Sequence, residues 1–274
     1  MPSTASRDNA DLLEALAGAA LKAGAVVMQI REAGFEASFK SDQSPVTAAD
    51  LASEALLHAE LAAILPGIPI IAEEAVSQGE GETPASTFLL VDPLDGTREF
   101  VGASGEFTIN IGLIVDGLPT LGIIYAPAVG KLYAGDASAS GPAAFLAHRA
   151  PGSAPDRATW QSIKCRPMPA RGLVAVASRS HFDPATEALL ASLDVAERIS
   201  CGSALKFGVV AEGRADIYPR LGTVCEWDVA AGHAIILAAG GTVLRPDGTA
   251  LPYGRTAESY LVPAFIVRGT EGNG

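Results

Sequence analysis

Apolar residues near the amino terminus recur every three or four positions, which is typical of the buried face of a long helix. They are Leu12, Leu13, Leu16, Ala20, Ala23, Val27 and Ile30. A second helical pattern opens at residues 47–50 (TAAD), stops near Pro66-Gly67 and has apolar positions at Leu51, Ala55, Leu56 and Leu61. The chain is therefore predicted to begin with two helices.

Short apolar runs separated by turn residues predict strands after these helices. Residues 68–72 form the first run, and the acids Glu73 and Glu74 follow it directly. A loop containing Gly and Ser, residues 77–86, then leads to the apolar run that ends at Asp92. Two strand ends are thus predicted to present acidic side chains.

The strongest hairpin signal in the sequence is Asp116-Gly117, which separates the apolar runs 108–115 and 118–125. Composition then shifts over residues 135–169, where Ala, Gly, Pro and Ser dominate without sustained periodicity. We interpret this stretch as a domain connection and predict two sub-domains, residues 1–145 and 146–274.

Strands and helices alternate irregularly in the second half, which predicts a layered α/β or α+β architecture. The predicted elements are a strand over 173–177, a helix over 204–212, a strand over 216–218, a helix over 229–239 closed by Gly240-Gly241, a hairpin at 246–248 and a strand over 265–267.

Composition excludes several classes of protein. The formal charge of −12 over 274 residues disfavours a nucleic-acid partner or an anionic membrane surface, so a polyanionic substrate would need local cations or a metal. Glu14 and Lys22 interrupt the apolar stretch near the amino terminus, so we expect no membrane span, and peripheral membrane association is not indicated. Three widely spaced cysteines favour neither disulfides nor a zinc site, and we expect a cytoplasmic protein.

The most informative segment is the run Asp92-Pro93-Leu94-Asp95-Gly96-Thr97 at a predicted strand end. Two carboxylates three positions apart on a stiff loop suit Mg²⁺, which prefers oxygen ligands and substrate phosphate. Asp-Pro and Asp-Gly are also common turn formers, so the segment alone leaves a plain turn open. Phosphate-ester chemistry is the leading hypothesis.

The other candidate acids each have a structural alternative. Glu73 and Glu74 could belong to a solvated loop. Asp50, three residues after Thr47, fits a capping box, and Asp228 could cap the helix that follows it. Lys40 would ordinarily be a surface lysine.

Four separated motifs resemble the signatures of the inositol monophosphatase superfamily: residues 40–50 (KSDQSPVTAAD), 71–74 (IAEE), 91–97 (VDPLDGT) and 226–228 (EWD). Further segments resemble its CysQ-type 3'(2'),5'-bisphosphate nucleotidases: 98–100 with 105–110, 178–181 (SRSH), 202–206 (GSALK) and 218–220 (YPR). The resemblance implies an α/β (α+β) fold with αβαβα layers, similar to the sugar phosphatases, in which two mixed or antiparallel sheets lie between helices.

The resemblance also implies a role for each matching residue. The expected ligands of two to three Mg²⁺ ions are Glu73, Asp92, Asp95, Asp228 and the main-chain carbonyl of Leu94. Asp50 and Thr97 match the pair that orients and activates the attacking water, with Glu73 as a third catalytic residue. Lys40 matches a residue near a weaker third metal site.

Substrate contacts follow from the same motifs. The expected contacts are Glu73, Leu94, Asp95, Gly96, Thr97, Ser178, His181, Gly202, Lys206, Arg220 and Asp228. Lys206 and Arg220 would hold the phosphate that is not cleaved. Two departures concern substrate recognition: Ala204 replaces a usual Ser, and Thr223-Val224-Cys225 stands where relatives carry Pro-Thr-Met.

The resemblance implies a cytoplasmic, lithium-sensitive phosphomonoesterase, a monomer or homodimer, that removes the 3'-phosphate of adenosine 3',5'-bisphosphate (PAP). PAPS is a second expected substrate, and the reaction is linked to sulfate assimilation. The alternatives are an inositol monophosphatase, a fructose-1,6-bisphosphatase, or a regulator that binds metal or nucleotide without catalysis.

Overall fold

The fold is that of a computed structural model, which describes residues 8–35, 37–39, 45–102, 104–138, 141–178 and 183–271. Seven α-helices lie in these ranges: α1 (Asn9–Ala33), α2 (Ala48–Ile64), α3 (Glu73–Ser77), α4 (Thr97–Val101), α5 (Pro184–Ser192), α6 (Leu205–Ala211) and α7 (Glu226–Ala238). Short 3₁₀ helices cover Arg157–Thr159 and Thr256–Glu258.

The first nine strands are β1 (Ala37–Phe39), β2 (Pro45–Thr47), β3 (Ile70–Ala72), β4 (Thr87–Asp95), β5 (Thr108–Val115), β6 (Leu118–Ala126), β7 (Lys131–Asp136), β8 (Ala143–His148) and β9 (Gln161–Ile163). The others are β10 (Leu173–Ser178), β11 (Val195–Cys201), β12 (Ile217–Arg220), β13 (Val224–Cys225), β14 (Thr242–Leu244), β15 (Leu261–Val262) and β16 (Phe265–Arg268).

Two mixed sheets form the frame. The larger has the order β3-β4-β5-β6-β7-β8-β9, in which β3 and β4 are parallel and the other neighbours are antiparallel. The smaller has the order β11-β10-β12-β16-β14, with parallel pairs around β10 and antiparallel pairs around β16. Strands β1 with β2 and β13 with β15 form separate two-stranded ribbons.

The helices complete five layers. Alternate residues of β4 enter two cores: Leu89 and Val91 pack with α1 and α2, whereas Phe88 and Leu90 pack with α6 and α7. Helices α6 and α7 also contact the smaller sheet, whose other face packs against Leu190 of α5. The predicted αβαβα order, with two sheets between helices, is confirmed.

Helix α1 is long and apolar enough to cross a membrane by length and composition alone. It nevertheless packs against α2 and the larger sheet, and Leu16, Ala20 and Val27 are fully buried there. It is therefore a core helix of the folded domain.

The apolar face predicted for α2 is only partly correct. Leu61 is buried and Leu56 is partly buried, but Leu51 is 48% exposed, and the other buried residues of the helix include Ala49, Ser53 and Leu57. Ser53 can point inward because its hydroxyl donates to the carbonyl oxygen of Pro93 at 2.8 Å. A satisfied polar group therefore occupies a position that periodicity assigns to an apolar side chain.

Three other local predictions need correction. Residues 135–169 are not a plain connection, because they contain the end of β7, all of β8 and all of β9 in the larger sheet. Glu73 and Glu74 begin helix α3 rather than a loop. Helix α7 starts at Glu226, so Asp228 is its third residue and not its N-cap.

The division into sub-domains 1–145 and 146–274 stays a prediction. Residues 145 and 146 are neighbours inside β8, and β9 follows in the same sheet. A division drawn by sheets would therefore come after Ile163. The predicted hairpin at Asp116-Gly117 does join β5 to β6, with positive φ at both turn residues.

Helix α7 lies unusually close to the larger sheet because three glycines form a groove beneath it. Gly112, Gly122 and Gly135 are direct cross-strand partners on β5, β6 and β7. A Cβ on Gly122 would lie 2.2 Å from the carbonyl oxygen of Ala231, and a Cβ on Gly135 would lie 2.6 Å from the Cα of Ile235. No larger residue fits without moving the helix.

We predict that Gly122→Ala lowers the free energy of unfolding by about 2–3 kcal/mol, because the added methyl overpacks a rigid backbone contact. Gly18→Ala on α1 is the matched control. Its Cβ would meet only a proline side-chain atom at 3.3 Å, so its effect should stay within about 1 kcal/mol. Thermal and denaturant unfolding measure both, and equal stability of Gly122→Ala and wild type would contradict the close packing.

Candidate active site

Three aspartates from two distant parts of the chain meet at one end of the larger sheet. Asp92 and Asp95 are among the last four residues of β4, and Asp228 lies in the first turn of α7. Each offers one carboxylate oxygen, and these three atoms lie within 4.8 Å of one another. The structure thus brings together three of the side chains that the sequence proposes as metal ligands.

Each carboxylate is anchored by a backbone N–H. The N–H of Leu94 donates to Oδ1 of Asp92 at 3.0 Å, and the N–H of Ala204 donates to Oδ2 of Asp95 at 2.7 Å. The N–H of Cys225 donates to Oδ2 of Asp228 at 2.7 Å, which also closes the first turn of α7. These bonds hold the side chains in place before any ligand arrives.

Burial raises the pKa of all three groups, and repulsion from neighbouring carboxylates adds to the rise. Desolvation is the largest cause in each case, followed for Asp92 by the charge of Glu73 and for Asp228 by the charge of Asp95. The pKa of Asp228 rises to about 7. Desolvation also raises the pKa of Asp95, although Lys206 opposes it. A divalent cation would offset this repulsion and restore three carboxylates, so the donor set fits a hard metal ion.

Glu73 lines the same cavity as Asp95 and Asp228, at the start of α3. Its position depends on Glu54 of α2, whose carboxylate accepts the N–H groups of Glu74 and Ala75, both at 2.8 Å. Glu54 thus satisfies two free donors at the start of a short helix. Sequence reasoning missed Glu54. The available signal was an acid one helical turn after Asp50.

Asp50 caps its helix and also accepts a hydrogen bond from Thr97, which lines the cavity. Its Oδ2 accepts the N–H and the hydroxyl of Thr47 at 2.7 and 2.8 Å, which confirms the predicted capping box. Its Oδ1 accepts the hydroxyl of Thr97 at 3.3 Å. The Thr97 hydroxyl also lies 3.4 Å from the carbonyl oxygen of Leu94, so its single proton can turn between two acceptors.

Gly96 lets two loops approach each other beside Asp95. Its φ of 87° is left-handed, and a Cβ at this position would lie 2.0 Å from Oγ of Ser203. That hydroxyl donates to the carbonyl oxygen of Asp95 at 2.9 Å. Ser203 is a second residue that sequence reasoning missed. Its hydrogen bond joins the segment that carries Asp95 and Gly96 to the residues just before α6.

Glu73, Asp95 and Asp228 line a cavity of about 340 Å³, to which both halves of the chain contribute. Ser178, Lys206 and Arg220 line it, as the sequence predicts for substrate contacts. Gly202, which the sequence also predicts as a substrate contact, does not line the cavity. Its N–H donates to Oε2 of Glu106 at 2.8 Å. Predicted residues His181 and Lys40 lie outside the described residues.

Lys206 serves as a buried counter-charge. It is 6% exposed, and its Nζ donates to the carbonyl oxygen of Ser203 at 2.6 Å. Desolvation lowers its pKa, and the neighbouring Asp95 carboxylate opposes that shift. Its ammonium group therefore first stabilises Asp95 and the 202–206 loop, while Arg220 is more accessible to a ligand.

The chain is similar to known proteins in sequence and in fold. The sequence model of the inositol monophosphatase family matches residues 8–268. The chain belongs to the inositol monophosphatase family. It is 39% identical over 258 residues to the 3'(2'),5'-bisphosphate nucleotidase CysQ of Salmonella typhimurium, covering 93% of this chain and 99% of that protein.

Solved structures give the same result. The crystal structure of CysQ from Bacteroides thetaiotaomicron, described as a bacterial member of the inositol monophosphatase family, has a TM-score of 0.77 at 36% identity. That match covers 97% of this chain and 99% of the other. Inositol monophosphatase from Anabaena has a TM-score of 0.72 at 28% identity and covers 96% and 92%. The motif resemblance is confirmed.

Members of the inositol monophosphatase family are metal-dependent, and the cluster of Asp92, Asp95 and Asp228 could hold such a metal. The structure describes the side chains that would surround it.

We predict that Glu54→Ala raises the Mg²⁺ concentration needed for half-maximal activity by about 10–100-fold, because Glu54 orients the helix that presents Glu73. Glu60→Ala is the control on the same helix, since Glu60 pairs with Lys22 at 2.8 Å on the surface. Magnesium titration of initial rates measures the effect. An unchanged magnesium requirement in Glu54→Ala would contradict the positioning role.

Proposed function

We propose that the protein is a Mg²⁺-dependent 3'(2'),5'-bisphosphate nucleotidase that hydrolyses the 3'-phosphate of adenosine 3',5'-bisphosphate, giving AMP and phosphate. The observation that carries the proposal is the acidic cluster in a chain that matches a CysQ nucleotidase over 99% of that relative's length. Both halves of the chain contribute to the cavity beside this cluster.

We infer that Glu73, Asp92, Asp95, Asp228 and the carbonyl oxygen of Leu94 hold two to three Mg²⁺ ions. The three aspartate oxygens within 4.8 Å and their anchoring N–H bonds support this ligand set. Bound Mg²⁺ would neutralise phosphate oxygens, lower the pKa of an attacking water and stabilise the leaving oxygen.

Asp50 and Thr97 are the proposed water-activating pair. A threonine hydroxyl is too weak a base to act alone, so it needs a carboxylate that takes its proton. The 3.3 Å contact between Thr97 Oγ1 and Asp50 Oδ1 supports such a relay, in which Thr97 accepts a proton from water as it passes its own to Asp50. Burial raises the pKa of Asp50, which favours proton acceptance.

Substrate contacts are proposed on both sides of the reacting group. The N–H groups of Gly96 and Thr97 are suited to the cleaved phosphate, because glycine allows close approach of the backbone. Arg220 and Lys206 would balance the other phosphate, with Ser178 and His181 contacting the nucleoside. Arg220 and Ser178 line the cavity, which supports this assignment.

The proposed substrate indicates a cellular role for the enzyme. Removal of adenosine 3',5'-bisphosphate would clear a by-product of sulfate assimilation, with PAPS as a second substrate that gives APS. We propose a cytoplasmic enzyme that works as a monomer or homodimer.

The second candidate is an inositol monophosphatase or fructose-1,6-bisphosphatase, which the match to the inositol monophosphatase family model favours. We predict at least about tenfold higher kcat/KM for adenosine 3',5'-bisphosphate than for inositol 1-phosphate, which has no second phosphate for the cationic side chains that line the cavity, Arg98, Lys206 and Arg220. We expect the same preference over fructose 1,6-bisphosphate, which has no nucleoside to contact Ser178. Phosphate release from the three substrates measures this. Preference for inositol 1-phosphate would overturn the proposed substrate.

We predict that Asp95→Asn reduces kcat at saturating Mg²⁺ by more than about 100-fold, since a direct metal ligand should matter more than the groups that orient it. Asp116→Asn, in the β5–β6 turn, is the control because asparagine suits its left-handed backbone. Steady-state kinetics and calorimetric Mg²⁺ binding measure the two variants. Unchanged turnover in Asp95→Asn would contradict the metal assignment, whereas a wild type without turnover on any of the three substrates would favour the non-catalytic alternative.

A further inference from the structure

One of the large apolar side chains that line the cavity is well exposed. Leu261 lines the cavity and is 43% exposed. Among the described residues, the other large hydrophobic side chains with comparable exposure do not line it: Leu51, Val101, Leu118 and Val129. A single exposed apolar side chain is ordinary on a protein surface, but inside a cavity that also holds acidic and cationic groups it offers a contact for an apolar part of a ligand.

The ribbon of β13 and β15 explains why Leu261 faces the cavity. Cys225 pairs with Leu261, and Val224 pairs with Val262. Paired residues share one face of an antiparallel ribbon, and neighbouring pairs lie on opposite faces. Val262 is 4% exposed and belongs to the core, whereas Leu261 lines the cavity. Val224 also lines the cavity, and Cys225, which is partly buried against the core, lines it as the cross-strand partner of Leu261. We call this pair the apolar ledge.

The ledge is directly attached to the acidic cluster. The backbone N–H of Cys225 donates to Oδ2 of Asp228 at 2.7 Å, and Cys225 is the residue before helix α7. Arg220 and Lys206 line the same cavity. A ligand whose phosphate lies at the aspartates would therefore place its adjoining group beside an apolar surface, within reach of cationic side chains.

The chemistry of the ledge discriminates between the candidate substrates. Inositol and fructose phosphates carry oxygen on nearly every carbon, so either would leave hydroxyl groups unpaired against Leu261 and the Cys225 thiol. A nucleobase has a flat face without hydrogen-bonding groups, and burying that face against an aliphatic side chain is favourable.

We propose that the apolar ledge, Leu261 with Cys225, binds the face of the nucleobase and is the element that selects nucleotides over sugar and inositol phosphates. The proposal rests on the proposed nucleotidase function and adds its specificity-determining residues.

The test compares adenosine 3',5'-bisphosphate with ribose 3,5-bisphosphate, which lacks the base, on wild type, Leu261→Ala and Leu261→Asn. Both variants should lower kcat/KM for the adenosine substrate about tenfold, mostly through KM, and change it less than about twofold for the ribose substrate. Leu118→Ala is the control, since Leu118 is 66% exposed and does not line the cavity. It should change neither value.

The outcomes separate the two proposals. If wild type hydrolyses the adenosine substrate and the Leu261 variants lose equally on both substrates, or on neither, the ledge is overturned and the nucleotidase function stands. If wild type hydrolyses neither substrate but acts on inositol 1-phosphate, the proposed function is overturned and the ledge with it. A selective loss on the adenosine substrate supports both.

Discussion

The close contact between helix α7 and the larger sheet is the constraint on which the site depends. Gly112, Gly122 and Gly135 lie side by side on three strands and remove the side chains that would hold the helix away. Because the helix backbone rests on the sheet, its first turn carries Asp228 to the end of β4. An acid from residue 228 thereby meets acids from residues 92 and 95.

The site gathers more negative charge than a protein interior tolerates without compensation. Burial raises the pKa of Asp92, Asp95 and Asp228, and the buried ammonium of Lys206 offsets the charge beside Asp95. A backbone N–H donates to one carboxylate oxygen of each aspartate. Repulsion between buried carboxylates is typical of a site whose stability and activity are linked to a bound cation.

Periodicity and turn chemistry predicted the elements with strong local signals. The buried apolar face of α1, the Asp116-Gly117 hairpin and the acidic end of β4 were all predictable, because each is encoded by nearby residues. Strands β8 and β9 were missed because small residues such as Ala144 and Ala147 pack under helices and give weak hydrophobic contrast. Glu54, Ser203 and the Cys225–Leu261 pair depend on contacts between distant segments, which a linear pattern does not contain.

The most direct test of the account is a crystal structure of the protein with Mg²⁺ and AMP. We expect Asp92, Asp95 and Asp228 to hold the cations. A phosphate, or water in its place, should lie at Gly96 and Thr97, and the adenine face should contact Leu261. Cations held without Asp228 would contradict the dependence of the site on α7.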